Sequence, residues 1–488
     1  MNSIERISSR MGRFSVVIKV SFIAALLLLL LIPLAMIQSL VKEREHRRND
    51  AEREIFSSWG GEQTIAGPFL TVPYVEYSLD SKGKRLETVR YARFLPESLS
   101  FDAEAEPETR FRGIYDATVY TAKIRASGSF RRPGFGGWRI PSDAVLWEAA
   151  FVSVELPDMR ALQERVTLTL GSRKSAFETA GSSIGVFGNQ AAAAAVRIAE
   201  FGEYTAAVRG QSGEIRAAAP GLGAGADEVI PFSFDLALRG GGFLGFLPLG
   251  AETSVNLRSP WQSPSFIGSF LPAARSISEK GFEASWNILS IARIYPQRWL
   301  PGEVDSGAIL TSAFGVNLMT TVDSYLKVTR AVKYGILFLI LPFLTLFLFE
   351  VYSGRRIHPL QYLFVGFAEC IFYLLLLSLS EHISFWPAYI AASAASTGLI
   401  TVYACAVAGG WKRGIAILPV LSVAYVFLAL VLRSEDYALL VGSLGLFLIL
   451  ATVMMLTRRI DWYRVGHRRA AADRTREQST QPTGDGVE

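Results

Sequence analysis

The stretch Val16–Ile37 reads VVIKVSFIAALLLLLLIPLAMI, and the interpretation of the whole chain starts from it. At about 1.5 Å per residue, a helix of this length covers the ~30 Å hydrocarbon layer of a bilayer. Its apolar core is longer than that of a secretory signal peptide, and Leu34-Ala35-Met36 does not resemble a cleavage site. The sequence therefore predicts an uncleaved transmembrane helix over residues 16–37.

Five further apolar blocks of membrane length follow one another in the last third of the chain. Only a few residues connect them, so successive helices must be antiparallel neighbours, and their number argues against a soluble all-α domain. The sequence predicts a five-helix transmembrane bundle over residues 334–456 and six crossings in all. The blocks are Tyr334–Tyr352, Leu360–Leu379, Pro387–Ala408, Gly414–Leu432 and Tyr437–Leu456.

The basic residues of the loops predict the orientation. One set of loops contains Arg355-Arg356, Lys412-Arg413 and several arginines after residue 457, whereas the opposite loops hold few basic residues. The positive-inside rule makes the first set cytoplasmic. Six crossings then place both termini in the cytoplasm, namely residues 1–15 and a largely disordered polar tail over residues 457–488. Residues 42–330 are thereby predicted to lie on the outer face of the membrane.

This outer region carries the signals of a mostly antiparallel β structure, in one or two domains. Several segments alternate apolar and polar residues, and Gly/Pro-rich turns separate them. Two stacked sheets would bury the apolar side of each strand. Acidic and basic residues are nearly balanced here, which argues against a nucleic-acid partner. The alternating segments are Thr118–Phe130, Arg165–Leu170, Pro231–Leu238 and Thr253–Leu257.

Few residues are suited to catalysis or metal binding. The chain has four histidines and two cysteines, and Cys370 and Cys405 both lie inside apolar blocks. A disulfide framework or a cysteine-based zinc site outside the membrane is therefore excluded, and a histidine-based hydrolase in the outer region nearly so. We expect a protein that is not an enzyme and has no cofactor.

Glu369 is the first candidate functional residue, because an ionisable group near the middle of an apolar block must face protein or water. Tyr362, Glu369, Tyr373 and Ser380 fall on one helix stripe with Gly366. The next helix has a stripe of its own, comprising Tyr389, Ser393, Ser396, Ile400 and Tyr403. Glu369 is either a neutral, hydrogen-bonded link between helices or part of a proton or ion relay. Glu350 is expected to pair with Arg355 or Arg356.

Two other places hold candidate residues. Ser380, Glu381 and His382 at the outer membrane surface suggest a hydrolase, although neighbouring helix residues point about 100° apart, which favours a simple helix end. Trp261 opens an aromatic stretch that ends at Gly268, which either lines a groove for a peptide or glycan or forms a rigid turn. Trp286 is the second candidate tryptophan of this region.

Four groups of segments carry a family resemblance. They are Ile357–Gly366 and Phe372–His382; Ser58–Gln63, Gly67–Leu70 and Val72–Tyr74; Trp261–Gly268, Phe270–Pro272 and Gly281–Trp286; and Arg330–Phe338. Together they resemble the CreD family of bacterial inner-membrane, cell envelope integrity proteins, and the resemblance extends over about residues 40–460. At the position of Glu369 the family pattern usually has an apolar or small residue, which weakens a family-wide role for this carboxyl.

The resemblance implies a Gram-negative inner-membrane protein with a large periplasmic domain, often controlled by a two-component system. It supplies no catalytic residues. Our leading hypothesis is a non-enzymatic protein that contributes to envelope integrity or stress response. Its periplasmic domain would bind or brace an envelope protein or peptidoglycan, while its helices contact the lipid bilayer. The alternatives are transport, export or signal relay through the helical bundle, and a membrane-surface hydrolase. The sequence does not indicate an oligomeric state.

Overall fold

The computed structural model describes residues 2–79, 85–180, 185–187, 212–222, 228–318, 324–353, 357–407, 410–434 and 437–458. The chain divides into two compact units. One is Arg48–Thr321, and the other combines Met1–Arg47 with Val322–Glu488. Beyond Arg458, the predicted disordered tail lies outside the described residues.

The first helix, α1, is uninterrupted from Asn2 to Trp59. The predicted membrane helix and the charged segment after it are therefore parts of one helix. Charged side chains at helical spacing support its second half, where Arg47 donates a hydrogen bond to Glu43 at 2.7 Å. The apolar part of α1 is long enough to cross a bilayer.

Eight further helices lie within the described residues. Each of the five predicted C-terminal blocks contains a helix, and the three other helices, all short, were not predicted from the sequence. The helices are α2 (Ser306–Leu310), α3 (Ser324–Lys333), α4 (Gly335–Ser353), α5 (Pro359–Ser380), α6 (Phe385–Val407), α7 (Trp411–Gly414), α8 (Ile417–Arg433) and α9 (Ala438–Thr457).

The lengths of these helices do not confirm six spans. In the described part, α1, α5 and α6 are each long and apolar enough to cross a bilayer, and α3 with α4 forms a fourth span only if the pair, bent by 46°, is counted as one. The predicted block Gly414–Leu432 begins with a turn, which leaves α8 with 17 residues. At about 1.5 Å per residue α8 is shorter than the ~30 Å hydrocarbon layer. The apolar part of α9, Leu440–Met455, is also short.

Helix α5 occupies a central position in the bundle, where it packs against α3, α4 and α6, while α8 packs against α4, α6 and α9. The motif His358-Pro359-Leu360-Gln361 explains where α5 begins. The His358 ring accepts a hydrogen bond from the Leu360 amide, and the His358 amide donates to the Gln361 side chain at 2.9 Å. This is a capping box, and Pro359 is suited to the first helical position because it lacks an amide hydrogen.

The β-rich unit contains seventeen strands within the described residues. They are β1 (Gln63–Leu79), β2 (Arg85–Phe94), β3 (Ser98–Arg112), β4 (Tyr115–Arg131), β5 (Phe151–Leu156), β6 (Thr167–Leu170), β7 (Arg173–Ala176), β8 (Glu178–Thr179), β9 (Gly213–Ala218), β10 (Val229–Gly241), β11 (Phe243–Phe246), β12 (Glu252–Ser259), β13 (Ser265–Gly268), β14 (Ala274–Ser278), β15 (Gly281–Leu289), β16 (Arg298–Trp299) and β17 (Phe314–Asn317).

These strands form two sheets. A nine-stranded sheet has the order β13-β17-β11-β1-β5-β9-β8, with β2 also paired to β1 and β16 paired to β2. An eight-stranded sheet has the order β14-β15-β12-β3-β4-β10-β6-β7. Most neighbours are antiparallel, as the sequence predicts, but β1 pairs with β11 and β3 with β12 in parallel.

A single hydrophobic cluster includes buried residues from strands of both sheets. Phe101 of β3 lies 5.1 Å from Phe246 of β11, measured between ring centroids. Phe246 in turn contacts Phe314 of β17 at 6.3 Å. The apolar sides of the two sheets thus face one another, the arrangement in which each sheet buries its apolar side.

The last turn of α1 is attached to strands of the eight-stranded sheet through Trp59. Its indole nitrogen donates a hydrogen bond to the Tyr120 carbonyl at 3.3 Å. The guanidinium groups of Arg110 and Arg239 lie over the ring, at 4.5 and 4.7 Å from its centroid. Glu54, one turn and a half earlier, forms an ion pair with Arg112 of β3. Cation–π contacts and an ion pair therefore fix the end of this helix.

A buried ion pair connects strands β2 and β5, which flank β1 on either side. Arg93 donates to Glu155 Oε1 at 3.1 Å, and the Phe187 amide donates to Oε2 at 3.2 Å. Glu155 is completely buried. Burial, and to a lesser degree the nearby Glu214 carboxyl, raises the pKa of Glu155, while Arg93 opposes the shift. The pair is thus a point where the loss of one partner is costly.

Replacing Arg93 by Met should destabilise the β-rich unit by about 3–5 kcal/mol, because the Glu155 carboxyl loses the cation that offsets its burial. The loss should grow as the pH rises from acid to neutral. An acid whose folded pKa is raised stabilises the fold at low pH and loses that contribution as pH rises towards the folded pKa. Thermal unfolding followed by tryptophan fluorescence over a pH series measures both effects. Arg131→Met, which removes the exposed pair with Glu97, is the control. If the loss of stability in Arg93→Met did not change with pH, the ionisation of Glu155 would not be its cause.

Candidate functional site

A cluster of buried polar side chains lies among α5, α6 and α8. Glu369 is 1% exposed, and its Oε2 lies within hydrogen-bond distance of the Tyr425 hydroxyl, at 2.9 Å. The Tyr425 hydroxyl is also 3.1 Å from Ser396 Oγ, which in turn donates to the Ala368 carbonyl at 3.4 Å. Each of the three helices therefore contributes one side chain to a continuous line of polar atoms.

Two other tyrosines complete the polar cluster. The Tyr389 hydroxyl donates to the Tyr425 carbonyl at 2.5 Å, which adds a second link between α6 and α8. Tyr373 lies one turn after Glu369 on the same face of α5 and is completely buried. Within the described residues, neither the Tyr373 hydroxyl nor Glu369 Oε1 has a hydrogen-bond partner. Two polar atoms thus remain unsatisfied in an apolar environment, which is unusual.

The predicted stripe on α5 is buried over most of its length. Tyr362, Gly366, Glu369 and Tyr373 are all inside, and Ser380 is half-buried at the helix end. Gly366 allows α1 to approach closely, because a Cβ atom there would be 2.1 Å from the Leu30 side chain. On α6, Tyr389, Ser396 and Ile400 are buried, whereas Ser393 and Tyr403 are half-buried.

Tyr362 belongs to a second polar group rather than to the Glu369 cluster. Its hydroxyl donates to Glu350 Oε2 at 3.3 Å. Glu350, 1% exposed, forms an ion pair with Lys19 of α1, and Lys19 also donates to the Ile357 carbonyl at 3.2 Å. Lys19 is thus a partner of Glu350 that the sequence did not suggest, and the predicted partners Arg355 and Arg356 lie outside the described residues.

The structure does not bring Ser380 and His382 together. Ser380 Oγ donates to the Leu377 carbonyl at 2.9 Å, and His382 Nδ1 lies 3.0 Å from the Ser378 carbonyl. Glu381 accepts a hydrogen bond from the Tyr325 hydroxyl at 3.0 Å and lies 3.8 Å from Arg44. The three side chains thus have different partners, and Glu381 links α5 to α1 and α3.

The two candidate tryptophans contact the core of the β-rich unit. Trp286 is 2% exposed, its indole nitrogen donates to the Phe270 carbonyl at 3.2 Å, and its ring contacts Phe266 and Phe314. Trp261 is half-buried, and its indole nitrogen donates to the Ser263 carbonyl at 3.1 Å. Trp286 is therefore a core residue, whereas Trp261 keeps part of its ring accessible.

A large open groove lies on the solvent face of the eight-stranded sheet, with a volume of about 1190 Å³. Charged side chains from neighbouring strands alternate across it. One row, in register from β15 to β4, is Glu283, Arg258, Glu104 and Lys123, and the adjacent row from β12 to β10 is Asn256, Asp102, Arg125 and Asp235.

Ion pairs within these rows link neighbouring strands. Arg125 donates to Asp235 at 2.9 Å, and this contact raises the pKa of the Arg125 guanidinium. Arg258 lies 3.3 Å from Glu104. Exposed pairs of this kind stabilise a protein only weakly, so their side chains can exchange partners readily. Among the residues that the structure describes, no group of three His, Cys, Asp or Glu side chains could hold a metal ion.

Sequence reasoning missed Tyr425 and the groove. Tyr425 is the direct partner of Glu369, and its only signal was a lone tyrosine within the apolar stretch of α8. The groove residues were part of the alternating segments, but the register that aligns their charges depends on strands far apart in the chain.

An N-terminal apolar helix, a large β-rich unit and a second group of apolar helices define a membrane protein with an extramembrane region inserted between its helices. The sequence matches the family described as Inner membrane protein CreD over residues 15–463. It is also 33% identical over 448 residues to Inner membrane protein CreD of Escherichia coli (strain K12), with 91% of this chain and 93% of that protein covered. The chain belongs to the CreD family of inner membrane proteins, which confirms the resemblance.

Replacing Lys19 by Met should destabilise the helical unit by about 3–5 kcal/mol, because the buried Glu350 carboxylate loses its ion pair with the Lys19 ammonium group. The double variant Lys19→Met/Glu350→Gln should recover most of that loss, since no uncompensated charge remains. Thermal denaturation of the purified chain in detergent measures both. Lys42→Met, at an exposed position of the same helix, should have little effect. If the double variant is no more stable than Lys19→Met, loss of the Lys19–Glu350 ion pair does not explain the lower stability of Lys19→Met.

Proposed function

We propose that this chain is a non-enzymatic protein that contributes to cell envelope integrity by holding an envelope component against the inner membrane. In this proposal its β-rich unit faces the periplasm, and the groove on the eight-stranded sheet contacts the partner. The hydrogen bonds of Ser380 and His382 to their own helix backbone support a role without catalysis. Membership of a family named for the inner membrane supports the location.

The charge pattern of the groove is the observation that carries the proposal. Five acidic and five basic side chains line it, so it has no net preference for a polyanion or a polycation. A partner that presents both ammonium and carboxylate groups would match such a surface, because it can pair with both signs along one row. The acidic residues are Asp102, Glu104, Glu164, Asp235 and Glu283, and the basic residues are Lys123, Arg125, Arg165, Arg258 and Arg275.

Among envelope components, the peptide stems of peptidoglycan have this chemistry, since they carry free amines and carboxylates on an extended chain. Among the described residues that line the groove, none is aromatic, so they offer a sugar ring no aromatic surface on which to stack. We infer that the peptide portion, not the glycan, is bound. An envelope protein with a similarly mixed charge pattern is the other partner that the groove would accept.

The proposed orientation combines the loop charges with six crossings of the bilayer. The Lys/Arg bias places the loops after α4 and α6 and the C-terminal segment in the cytoplasm. For six crossings, the bent pair α3–α4 counts as one span, and the short helices α8 and α9 each cross as well, which local thinning of the bilayer permits at modest cost. Both termini are then cytoplasmic, and the region between α1 and α3 is periplasmic.

Cysteine labelling tests this orientation. In spheroplasts that make the full chain, a membrane-impermeant maleimide should label Ser276→Cys, on the edge strand β14, without lysis. It should label Ser479→Cys, in the C-terminal segment, only after lysis. The parent chain, whose Cys370 and Cys405 lie in apolar helices, gives the background. Labelling of Ser479→Cys in intact spheroplasts would contradict a cytoplasmic C-terminus.

Cosedimentation with purified peptidoglycan sacculi tests the partner. The full chain in detergent should sediment with sacculi but not with sacculi stripped of their peptides by an amidase. Arg125→Gln/Arg258→Gln should weaken binding by about tenfold, because each change removes a groove cation. Arg90→Gln/Arg131→Gln removes two exposed, ion-paired arginines outside the groove and should bind normally. Binding to stripped sacculi, or equal losses in the two double variants, would exclude the groove as the peptide site.

The same variants test whether binding at the groove is needed for envelope integrity in cells. A strain that lacks the protein should leak more of a periplasmic reporter under detergent challenge than its parent. The wild-type chain and Arg90→Gln/Arg131→Gln should restore retention, whereas Arg125→Gln/Arg258→Gln should not. If the deletion strain leaks no more than its parent, the protein has no role in envelope integrity under these conditions. The result of the sacculus-binding experiment would not be affected.

A further inference from the structure

The Tyr425 hydroxyl in the bundle faces two acceptors but has only one hydrogen to donate. Glu369 Oε2 is 2.9 Å away, and Ser396 Oγ is 3.1 Å away. Ser396 can also use its own hydrogen, which points to the Ala368 carbonyl at 3.4 Å. The protonation state of Glu369 therefore decides which of these contacts are hydrogen bonds.

With a neutral Glu369, every contact in the line is satisfied. The carboxylic acid donates from Oε2 to the Tyr425 oxygen, Tyr425 donates to Ser396, and Ser396 donates to the Ala368 carbonyl. Each hydroxyl then donates once and accepts once, and the chain ends on a backbone acceptor. These three hydrogen bonds join α5 to α8, α8 to α6, and α6 back to α5.

With an ionised Glu369, one of the three contacts is lost. Tyr425 must then donate to the carboxylate, so its contact with Ser396 has no hydrogen unless Ser396 gives up Ala368. The charge would also stand without a counter-ion, because no described cationic side chain forms an ion pair with Glu369. An unpaired charge in an apolar interior is strongly disfavoured.

We propose that Glu369 is a proton-binding site whose bound proton closes a ring of hydrogen bonds among α5, α6 and α8. Release of the proton removes one hydrogen bond from this ring, either the one between Tyr425 and Ser396 or the one between Ser396 and the Ala368 carbonyl, by rotation of a hydroxyl group and without movement of the backbone. The ligand of this site is a proton, and the site changes how three helices are tied together. This goes beyond the binding of an envelope component and does not depend on it.

The groups around Glu369 suit this role. Among the described residues, the titratable groups that face it are Cys370 and Tyr373 on α5, Tyr389 on α6 and Tyr425 on α8. All four are neutral acids in an apolar environment, so none supplies a positive charge that would keep Glu369 ionised. The Tyr373 hydroxyl, itself without a partner in the described part, is one turn away as an alternative donor.

Infrared spectroscopy of the full chain in detergent tests the proposal. At neutral pH the wild type should show the carbonyl band of an un-ionised carboxylic acid, and Glu369→Gln should lack it. The band should shift to lower frequency in D₂O, since a bound proton exchanges with solvent. Glu381→Gln, which changes a carboxyl paired with Tyr325 and Arg44, should retain the band.

Two further variants keep the test decisive if Glu369→Gln does not accumulate. Tyr425→Phe removes the acceptor of the acid proton and should move the band to higher frequency. Ser396→Ala leaves that acceptor in place and should keep the band near its wild-type position. A spectrum without an un-ionised acid band at neutral pH would overturn the proposal, and so would a band that Tyr425→Phe leaves unmoved or that does not shift in D₂O.

Discussion

A carboxyl group inside an apolar helix bundle must find a hydrogen-bond partner, and this requirement organises the helical unit. Glu350 is held by Lys19 and Tyr362, Glu381 by Tyr325 with Arg44 nearby, and Glu369 by Tyr425. Each carboxyl connects a different set of helices, so the first helix is tied to the bundle at both Glu350 and Glu381. Directional polar links specify which helices are neighbours, whereas apolar packing alone specifies this poorly.

Sequence reasoning found the acidic members of these links but not their partners. Glu369 was conspicuous because it is a lone charge in an apolar block, and the stripe around it followed from helical periodicity. Lys19 and Tyr425 are far from their partners in the chain, and local periodicity contains no information about which helix faces which. The prediction of six spans is not confirmed by helix length, because the apolar blocks were counted without the turn that shortens α8.

Prediction from the sequence also succeeded for strands of one sheet and failed for a strand of the other. The segments that were predicted as strands, such as Thr118–Phe130, all belong to the eight-stranded sheet, which has one face in the core and one in solvent, and alternation reveals such strands. Strand β1 was invisible to this pattern because its first twelve residues are buried on both faces. The charge rows of the groove emerged only once the register of distant strands was known. Local sequence specifies a strand; its neighbours are a property of the whole fold.

The parallel pairing of β3 with β12 has a consequence for how the protein is made. Asp102 and Asn256 are neighbours in the sheet but are 154 positions apart in the chain. Strands that pair over such distances close slowly, because a long loop must be ordered before any contact forms. During synthesis, β3 and β4 therefore form at most an incomplete sheet until the chain has been synthesised as far as β12. For that interval the nascent chain exposes an open β edge, the kind of surface that chaperones protect from aggregation.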